Sequence, residues 1–251
     1  ILAAAREAGA DLAAAAIVEA ATPQEAAARA VAMAREGEVA ALMKGSLHTD
    51  DLLAEVVSRE GALRGERRLS HVFLMDVPSY PKPLLVTDAA VNIAPDLMAK
   101  ADILQNAVDF ARALGIARPK VAVLAAVETV NPRMPATMDA AMLAKMADRG
   151  QVTGALVDGP LAFDNAISRA AAQTKRIESA VAGDPDILLC PDLEAGNMVA
   201  KQLAYLAHAE AAGLVLGARV PIILTSRSDS VATRVASAAM AGLVAPRGLL
   251  A

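Results

Sequence analysis

The sequence predicts an α/β fold built on a mainly parallel sheet. Short runs rich in Val, Ile and Leu recur along the chain without clean alternation of apolar and polar residues, which is typical of strands buried on both faces. Alanine-rich amphipathic stretches separate these runs, and alternation of this kind favours helices packed on a parallel sheet. With 251 residues, of which 55% are hydrophobic, the chain is long enough for one large domain or two smaller ones.

The elements follow one another in a regular order. Strands are predicted at residues 39–43, 69–77, 84–87, 121–127, 152–157, 187–190 and 214–225. Helices are predicted at residues 23–35, 52–57, 99–114, 135–149, 164–172, 197–212 and 231–243. Thr22 and Pro23 are typical of a helix start, since proline suits the first helical position. Gly115, Gly150 and Gly213 follow three helical patterns, where we expect left-handed caps.

Composition excludes several classes of protein. There are 24 Lys+Arg against 28 Asp+Glu, a net charge of −4, which argues against a nucleic-acid partner. The apolar runs are far shorter than the roughly 20 residues of a membrane-spanning helix, and no signal peptide is visible. The lone cysteine, Cys190, precludes a disulfide within the chain and fits the reducing cytoplasm, where we expect the protein. Because the chain starts at Ile1, we expect it to be part of a longer polypeptide.

Ligands of such folds bind beyond the carboxyl ends of the strands, so polar residues there are candidate site residues. The last predicted strand leads into Ser226, Arg227 and Asp229 before a helix begins. Backbone N–H groups at a helix start and an arginine fork both suit phosphate. The alternative interpretation is an ordinary capped loop, since Ser and Asp are common helix caps.

The other predicted strand ends add weaker candidates. The first strand is followed by Lys44, a cation beside the flexible Gly45, and by His48 and Thr49, a candidate base and a hydroxyl or helix cap. The remaining candidates for substrate binding follow the fourth, fifth and sixth strands and are Asn131, Asp158, Glu194 and Asn197. The chain has no phosphate-loop, dinucleotide or nucleophile-elbow motif and no zinc spacing, so we predict no metal site and no tightly bound cofactor.

A set of segments, in order from residue 40 to the end, resembles one enzyme family. The segments are Leu-Met-Lys-Gly with His48-Thr49, Ser70-His71-Val72, Asp158-Gly-Pro-Leu with Asp164-Asn165, Val181-Ala-Gly-Asp, Glu194-Ala-Gly-Asn and Leu224-Thr-Ser-Arg. Together they are similar to the phosphate acetyl/butyryltransferases, and three of them are closest to the butyryl branch.

The resemblance implies the reaction acyl-CoA + phosphate ⇌ acyl phosphate + CoA, with coenzyme A as co-substrate and a short acyl group, acetyl or butyryl. It implies two domains with a cleft between them, similar to isocitrate and isopropylmalate dehydrogenases. Residues 1–66 and 213–251 would form domain I, without its first strands, and residues 67–212 would form domain II. It further implies a homodimer, and a similar domain also occurs fused behind an enoyl-CoA hydratase.

The resemblance transfers unevenly to single residues. Ser226 and Arg227 match a pair thought to contact the acyl phosphate, and Thr49 matches a hydroxyl position. The acetyl branch has an aspartate, proposed as the base for the CoA thiol, at the place where an ungapped count puts Thr233. We therefore assign Asp229 as the candidate base. The acetyl-branch arginine is also missing, since its region reads Leu-Ala-Glu at residues 53–55.

Two other functions stay open at this stage. One is a non-catalytic module that binds CoA or mediates assembly, fused to a hydratase; loss of the acetyl-branch arginine and aspartate favours it. The other is an NAD- and Mg²⁺-dependent decarboxylating dehydrogenase on the same fold, against which the lack of clustered aspartates argues. The acyl-chain length does not follow from the sequence.

Overall fold

In a computed structural model, residues 1–61, 63–224 and 229–245 are described. The described helices are α1 Leu2–Ala8, α2 Pro23–Arg35, α3 Thr49–Val57, α4 Leu97–Ala113, α5 Pro135–Asp148, α6 Phe163–Ile167, α7 Arg169–Thr174, α8 Leu193–Leu206 and α9 Val231–Val244. The strands are β1 Leu42–Met43, β2 Ser70–Asp76, β3 Leu84–Thr87, β4 Lys120–Leu124, β5 Leu156–Leu161, β6 Ile187–Leu189, β7 Glu210–Leu216 and β8 Ile222–Ile223. The α/β class is confirmed.

The eight strands form one mixed sheet in the order β1-β8-β7-β2-β3-β6-β4-β5. The pairs β1–β8, β3–β6, β6–β4 and β4–β5 are parallel, whereas β8–β7, β7–β2 and β2–β3 are antiparallel. This corrects the expectation of separate, mainly parallel sheets, because an antiparallel centre joins two parallel flanks.

Short connections explain two of the three antiparallel pairs, β7–β8 and β2–β3. The predicted strand at residues 214–225 is in fact two strands, β7 and β8, with a turn at Gly217, whose φ is 87°. Strands linked by so few residues pair antiparallel, since a parallel crossover needs a dozen residues or more. The same reason applies to β2 and β3, which are separated by residues 77–83.

Other element boundaries were partly predicted. The predicted bounds of α2 and β3 are confirmed, and Gly115 and Gly150 have the expected positive φ of 100° and 73°. Gly213 was expected to cap a helix, but it lies inside β7. The helix predicted at residues 197–212 corresponds to α8, which both begins and ends earlier, at Leu193 and Leu206. Asp192 is its N-cap. Helix α1 was not predicted.

Three apolar clusters organise the two faces of the sheet. One face carries a single cluster that joins α4, α5 and α9 to strands from β8 to β4 in the sheet order. On the opposite face, one cluster packs α2 and α3 on β8, and another packs α6 and α8 on β3, β4 and β6. The middle strands β2 and β7 are therefore accessible between these two groups of helices, and a cleft lies there.

Candidate active site

The cleft has a volume of about 530 Å³ and is lined from five sides. β2 and β7 supply its floor, α8 one wall, the β1–α3 segment another, and the start of α9 a third, with the loop after β3 at the rim. The lining residues are Lys44, Thr49, His71, Phe73, Met75, Ala90, Asn197, Ala200, Lys201, Ala204, Tyr205, Ala209, Ala211, Leu224, Asp229, Ser230 and Thr233.

The floor combines large side chains on β2 with small ones on β7. His71, Phe73 and Met75 line the cleft together because alternate residues of a strand share a face. Across the antiparallel ladder, Gly213 lies opposite Phe73 and Ala211 lies opposite Met75. The His71 and Phe73 rings lie over Gly213, so the floor is an apolar strip with one polar side chain, His71, at its end.

Lys44 places a buried cation in the cleft. The residue follows β1, is 8% exposed, and its Nζ donates to the carbonyl oxygens of Gly45 and Leu47 at 3.2 and 3.1 Å. Among the described residues, no carboxylate lies within ion-pair distance of Nζ. A buried charge without a counter-ion is costly, and an anionic ligand would offset that cost.

His71 is a buried imidazole whose Nδ1 is not satisfied within the described protein. It is 1% exposed, its Nδ1 has no hydrogen-bond partner, and its ring meets Phe73 edge-on with 4.3 Å between centroids. Burial lowers the pKa of His71 to about 4, although the negative charges of Asp88 and Asp229 oppose this. His71 is therefore neutral at neutral pH.

The depressed pKa of His71 predicts a specific loss of stability in acid. Between pH 7 and pH 5 the unfolded chain gains a proton on this imidazole and the native protein does not, so the free energy of unfolding falls. We expect the wild type to lose about 2 kcal/mol more than His71→Phe over this interval. Urea unfolding at both pH values measures this, and equal losses in the two proteins would contradict the assignment.

Gly196 allows helix α8 to pack closely against the loop after β3. A Cβ at this position would lie only 2.2 Å from the carbonyl oxygen of Asp88. The next residue, Asn197, lines the cleft and donates from Nδ2 to the carbonyl oxygen of Ala89 at 3.1 Å. The loop is in turn fixed by the Asp88 carboxylate, which accepts from the backbone N–H groups of residues 90–92. The Glu-Ala-Gly-Asn segment thus positions a cleft wall.

The start of α9 brings polar groups to the cleft. Ser230 is the N-cap, accepting from the backbone N–H of Thr233, and both residues line the cleft together with Asp229. The predicted residues Ser226 and Arg227 lie outside the described part of the chain. Leu224 and Asp229, the described residues on either side of that segment, both line the cleft.

The structure thus brings four predicted residues together, namely Lys44, Thr49, Asn197 and Asp229. Four others do not line the cleft: His48, Asn131, Asp158 and Glu194.

Each of these four has a different local setting. His48 precedes α3 and is exposed. Glu194 is an exposed acid in the first turn of α8, where its negative charge interacts favourably with the helix dipole. The Asn131 side chain accepts from the backbone N–H of Arg133 in a turn. Asp158, expected after a strand, lies within β5 and accepts from the backbone N–H of Gly159.

The Val-Ala-Gly-Asp segment of the resemblance has a structural role. Asp184 forms ion pairs with Lys82, Lys120 and Arg169 at 3.1, 2.6 and 3.0 Å. Gly183, with φ of 79°, lets the chain approach Arg169, whose Cα would lie 2.6 Å from an added Cβ. This segment therefore ties β6 to neighbouring elements rather than lining the cleft.

Within the described ranges, no group of three or more His, Cys, Asp or Glu side chains could hold a metal ion. Nor does any described helix have the length and apolar character that crossing a membrane requires.

Apart from Asn197, sequence reasoning missed the cleft residues of α8, and it missed His71. Asn197, Ala200, Lys201, Ala204 and Tyr205 line the cleft from one face of α8, and their spacing of three and four residues is a helical signal. The helix predicted at residues 197–212 contained this spacing, but only Asn197 in it was selected as a candidate. His71 belonged to a segment of the resemblance, but nothing in its strand marked it as a site residue.

Fold and site together define a class of protein: an α/β protein whose cleft lies over the middle strands of a mixed sheet, between two groups of helices, and contains a buried cation. The family model for "Phosphate acetyl/butaryl transferase" matches residues 5–242. The chain belongs to this family.

Individual relatives carry names from both branches of the family. A "Phosphate acetyltransferase" of Rhizobium meliloti is 60% identical over 231 residues, covering 92% of this chain and 73% of the relative. A "Probable phosphate butyryltransferase" of Bacillus subtilis (strain 168) is 50% identical over 225 residues, covering 90% and 75%. The crystal structure of a branched-chain phosphotransacylase from Enterococcus faecalis V583 matches with a TM-score of 0.84 at 36% identity, covering 91% of this chain and 82% of the other.

Proposed function

We propose that the protein transfers a short acyl group between coenzyme A and inorganic phosphate. The observation that carries this proposal is the buried, carboxylate-free Lys44 in the cleft of a chain that belongs to the phosphate acetyl/butaryl transferase family. Lys44 suits the phosphoryl group, which needs a cation in a desolvated site. The cleft is also lined by alanines and by Phe73 and Met75, which suit an acyl chain.

The reaction asks the protein to align two reactants and to stabilise charge. In the direction of acyl-CoA synthesis, the CoA thiolate attacks the carbonyl carbon of the acyl phosphate. The C–S bond forms, and the bond between the carbonyl carbon and the bridging phosphate oxygen breaks. Phosphate leaves with the electron pair. We propose Asp229 as the acceptor of the thiol proton and Arg227 and Lys44 as the phosphate ligands. Ser226 and Thr49 would donate hydrogen bonds to the phosphoryl or carbonyl oxygens, and Asn197 would contact the substrate from α8.

A phosphate-dependent thiol-release assay tests this function. Acetyl-CoA, butyryl-CoA and a branched acyl-CoA are each mixed with the protein, with and without phosphate, and free CoA is titrated with a thiol reagent. Cys190 adds no background in native protein, because it is 3% exposed and burial raises the pKa of its thiol to about 12. Release of CoA only when phosphate is present supports the proposal, whereas CoA binding without release would favour a non-catalytic module.

Replacing Lys44 by methionine should weaken use of phosphate. Methionine keeps the buried length of the side chain, so we expect a folded protein with no loss of thermal stability. Because a hydrogen bond to a charged group is worth about 1.5–3 kcal/mol, kcat/KM for phosphate should fall roughly 10- to 100-fold. Steady-state kinetics measure this. Lys145→Met, at an exposed lysine of α5 paired with Asp148, is the matched control and should leave kcat/KM for phosphate unchanged.

We further propose the two-domain division of a dehydrogenase-like fold, with residues 1–66 and 213–251 in one domain and 67–212 in the other. One apolar cluster draws on both parts of the first domain, from Ala27 to Ile222, and this supports the pairing of the two segments. A separate cluster draws on residues 75–211. Limited proteolysis that releases a stable fragment near residues 67–212 would support the division. Cleavage scattered within that range would oppose it.

We also propose that the protein forms a homodimer, as the resemblance implies. The exposed apolar side chains Val231 and Val235 on α9, at 78% and 62% exposure, fit such an association. Light scattering coupled to size-exclusion chromatography gives the mass, and a monomer at micromolar concentration would contradict the proposal.

A further inference from the structure

We propose that His71 is a catalytic hydrogen-bond donor, which contacts the acyl carbonyl oxygen of the substrate through Nε2 while the acyl chain lies over Phe73. This inference rests on the proposed function and adds to it a residue and an orientation of the substrate.

The first step is the position of the imidazole. Nδ1 is buried and has no partner, so the ring edge that carries Nε2 and Cε1 is the part that a ligand can meet. That edge points across β7 at Gly213, where an added Cβ would lie 2.9 Å from Nε2 and 3.0 Å from Cε1. The absence of a side chain at Gly213 therefore makes room for this ring edge, and His71 lines the cleft.

The second step is the chemistry of the ring. A neutral imidazole has one N–H, and the proton resides on the nitrogen that can find an acceptor. Nδ1 finds none among the described residues, so a ligand acceptor beside Nε2 selects the tautomer with Nε2–H. An unpaired buried donor is unfavourable, and binding of an acceptor removes that cost.

The third step is the choice of acceptor. A dianionic phosphate is better matched by the buried charge of Lys44 than by a neutral ring beside Phe73 and Met75. A carbonyl oxygen is uncharged in the substrate and gains negative charge as the thiolate attacks. A fixed neutral donor stabilises that change without the cost of burying a second charge.

The fourth step is the direction of the acyl chain. Residues i and i+2 of a strand are about 6.6 Å apart, which is the distance from His71 to Phe73. A short acyl chain whose carbonyl lies at His71 would therefore extend over Phe73. On the opposite strand, Gly213 lies beside Phe73 and Ala211 beside Met75, so the β7 side chains on this face are small. The apolar strip of the floor thus leads away from the polar atom that would hold the carbonyl.

Two variants of His71 test the donor role. His71→Phe keeps the ring volume and removes the donor, so kcat should fall about 10²- to 10³-fold, as for loss of one donor to a developing oxyanion. The KM for phosphate should change less than about threefold, because Lys44 is intact. His71→Gln can place an amide N–H near the position of Nε2 and should recover at least about tenfold of the lost kcat.

A spectroscopic readout separates this role from a merely structural one. Infrared difference spectra of bound butyryl-CoA, labelled with ¹³C at the carbonyl, should show a lower stretching frequency in the wild type than in His71→Phe. A His71→Phe protein that is folded, within threefold of wild-type kcat, and unchanged in carbonyl frequency would overturn the proposal. A wild-type protein without phosphate-dependent CoA release would instead overturn the proposed function itself.

Discussion

Arg227→Ala is expected to slow turnover roughly 30- to 3000-fold. Truncating a charged group that pairs with a buried charge costs about 2–5 kcal/mol, and each 1.4 kcal/mol is about a factor of ten in rate. Arg227 follows Ser226 in the Leu-Thr-Ser-Arg segment of the resemblance, and the flanking described residues Leu224 and Asp229 both line the cleft. Thiol release with acetyl and butyryl substrates measures the effect.

Two further variants sharpen this test. Arg227→Lys keeps the charge but loses the planar fork that binds two phosphate oxygens, so it should retain more activity than the alanine variant but less than the wild type. Arg219→Ala removes an arginine of the β7–β8 connection that does not line the cleft, and it should leave turnover unchanged. Near-wild-type turnover of Arg227→Ala with both substrates would remove Arg227 from the phosphate site.

Sequence patterns were most informative where local chemistry alone decides the structure. Helix α2 begins and ends as predicted because Thr22 accepts from the backbone N–H of Glu25 and Pro23 suits the first turn. Similarly, we expected residues that bind substrate to lie at strand ends, and three residues chosen in this way, Lys44, Thr49 and Asp229, line one cleft. These residues could be predicted because each lies just after a strand or at the start of a helix.

Two features that depend on tertiary contacts, the position of Asp158 and the setting of His71, were not predicted from the sequence. Asp158 was placed after a strand because the apolar run ends at Val157, yet β5 continues through Gly159 and Pro160. Since β5 lies at the edge of the sheet, a proline there needs no ladder hydrogen bond on its outer side. His71 was missed for a related reason. Its importance depends on Gly213, which is distant in sequence and adjacent only through the β2–β7 pairing.

The second large effect is expected for Gly196→Ala, which should destabilise the protein by about 3 kcal/mol. The added Cβ would lie 2.2 Å from the carbonyl oxygen of Asp88 and 3.1 Å from the Cα of Ala89. These neighbours are backbone atoms of a loop fixed by the Asp88 carboxylate, so they yield less easily than a side chain, and overpacking of this kind falls at the upper end of its usual cost.

Gly242→Ala is the matched control, since Gly242 also lies in a helix and a Cβ there would meet nothing within 4 Å. Alanine is the better helix former, so this variant should gain about 0.5–1 kcal/mol. Thermal unfolding should show Gly196→Ala lower by about 6 to 12 °C and Gly242→Ala unchanged or slightly higher.

The kinetics of Gly196→Ala connect this packing to the cleft. When α8 moves away from the loop, Asn197 loses its bond to Ala89 and the wall that carries Lys201 and Tyr205 shifts with it. We therefore expect a rise in KM for CoA even at temperatures where the variant remains folded. A destabilised variant with unchanged KM would show that Gly196 serves stability alone, and that α8 is not a wall that substrates contact.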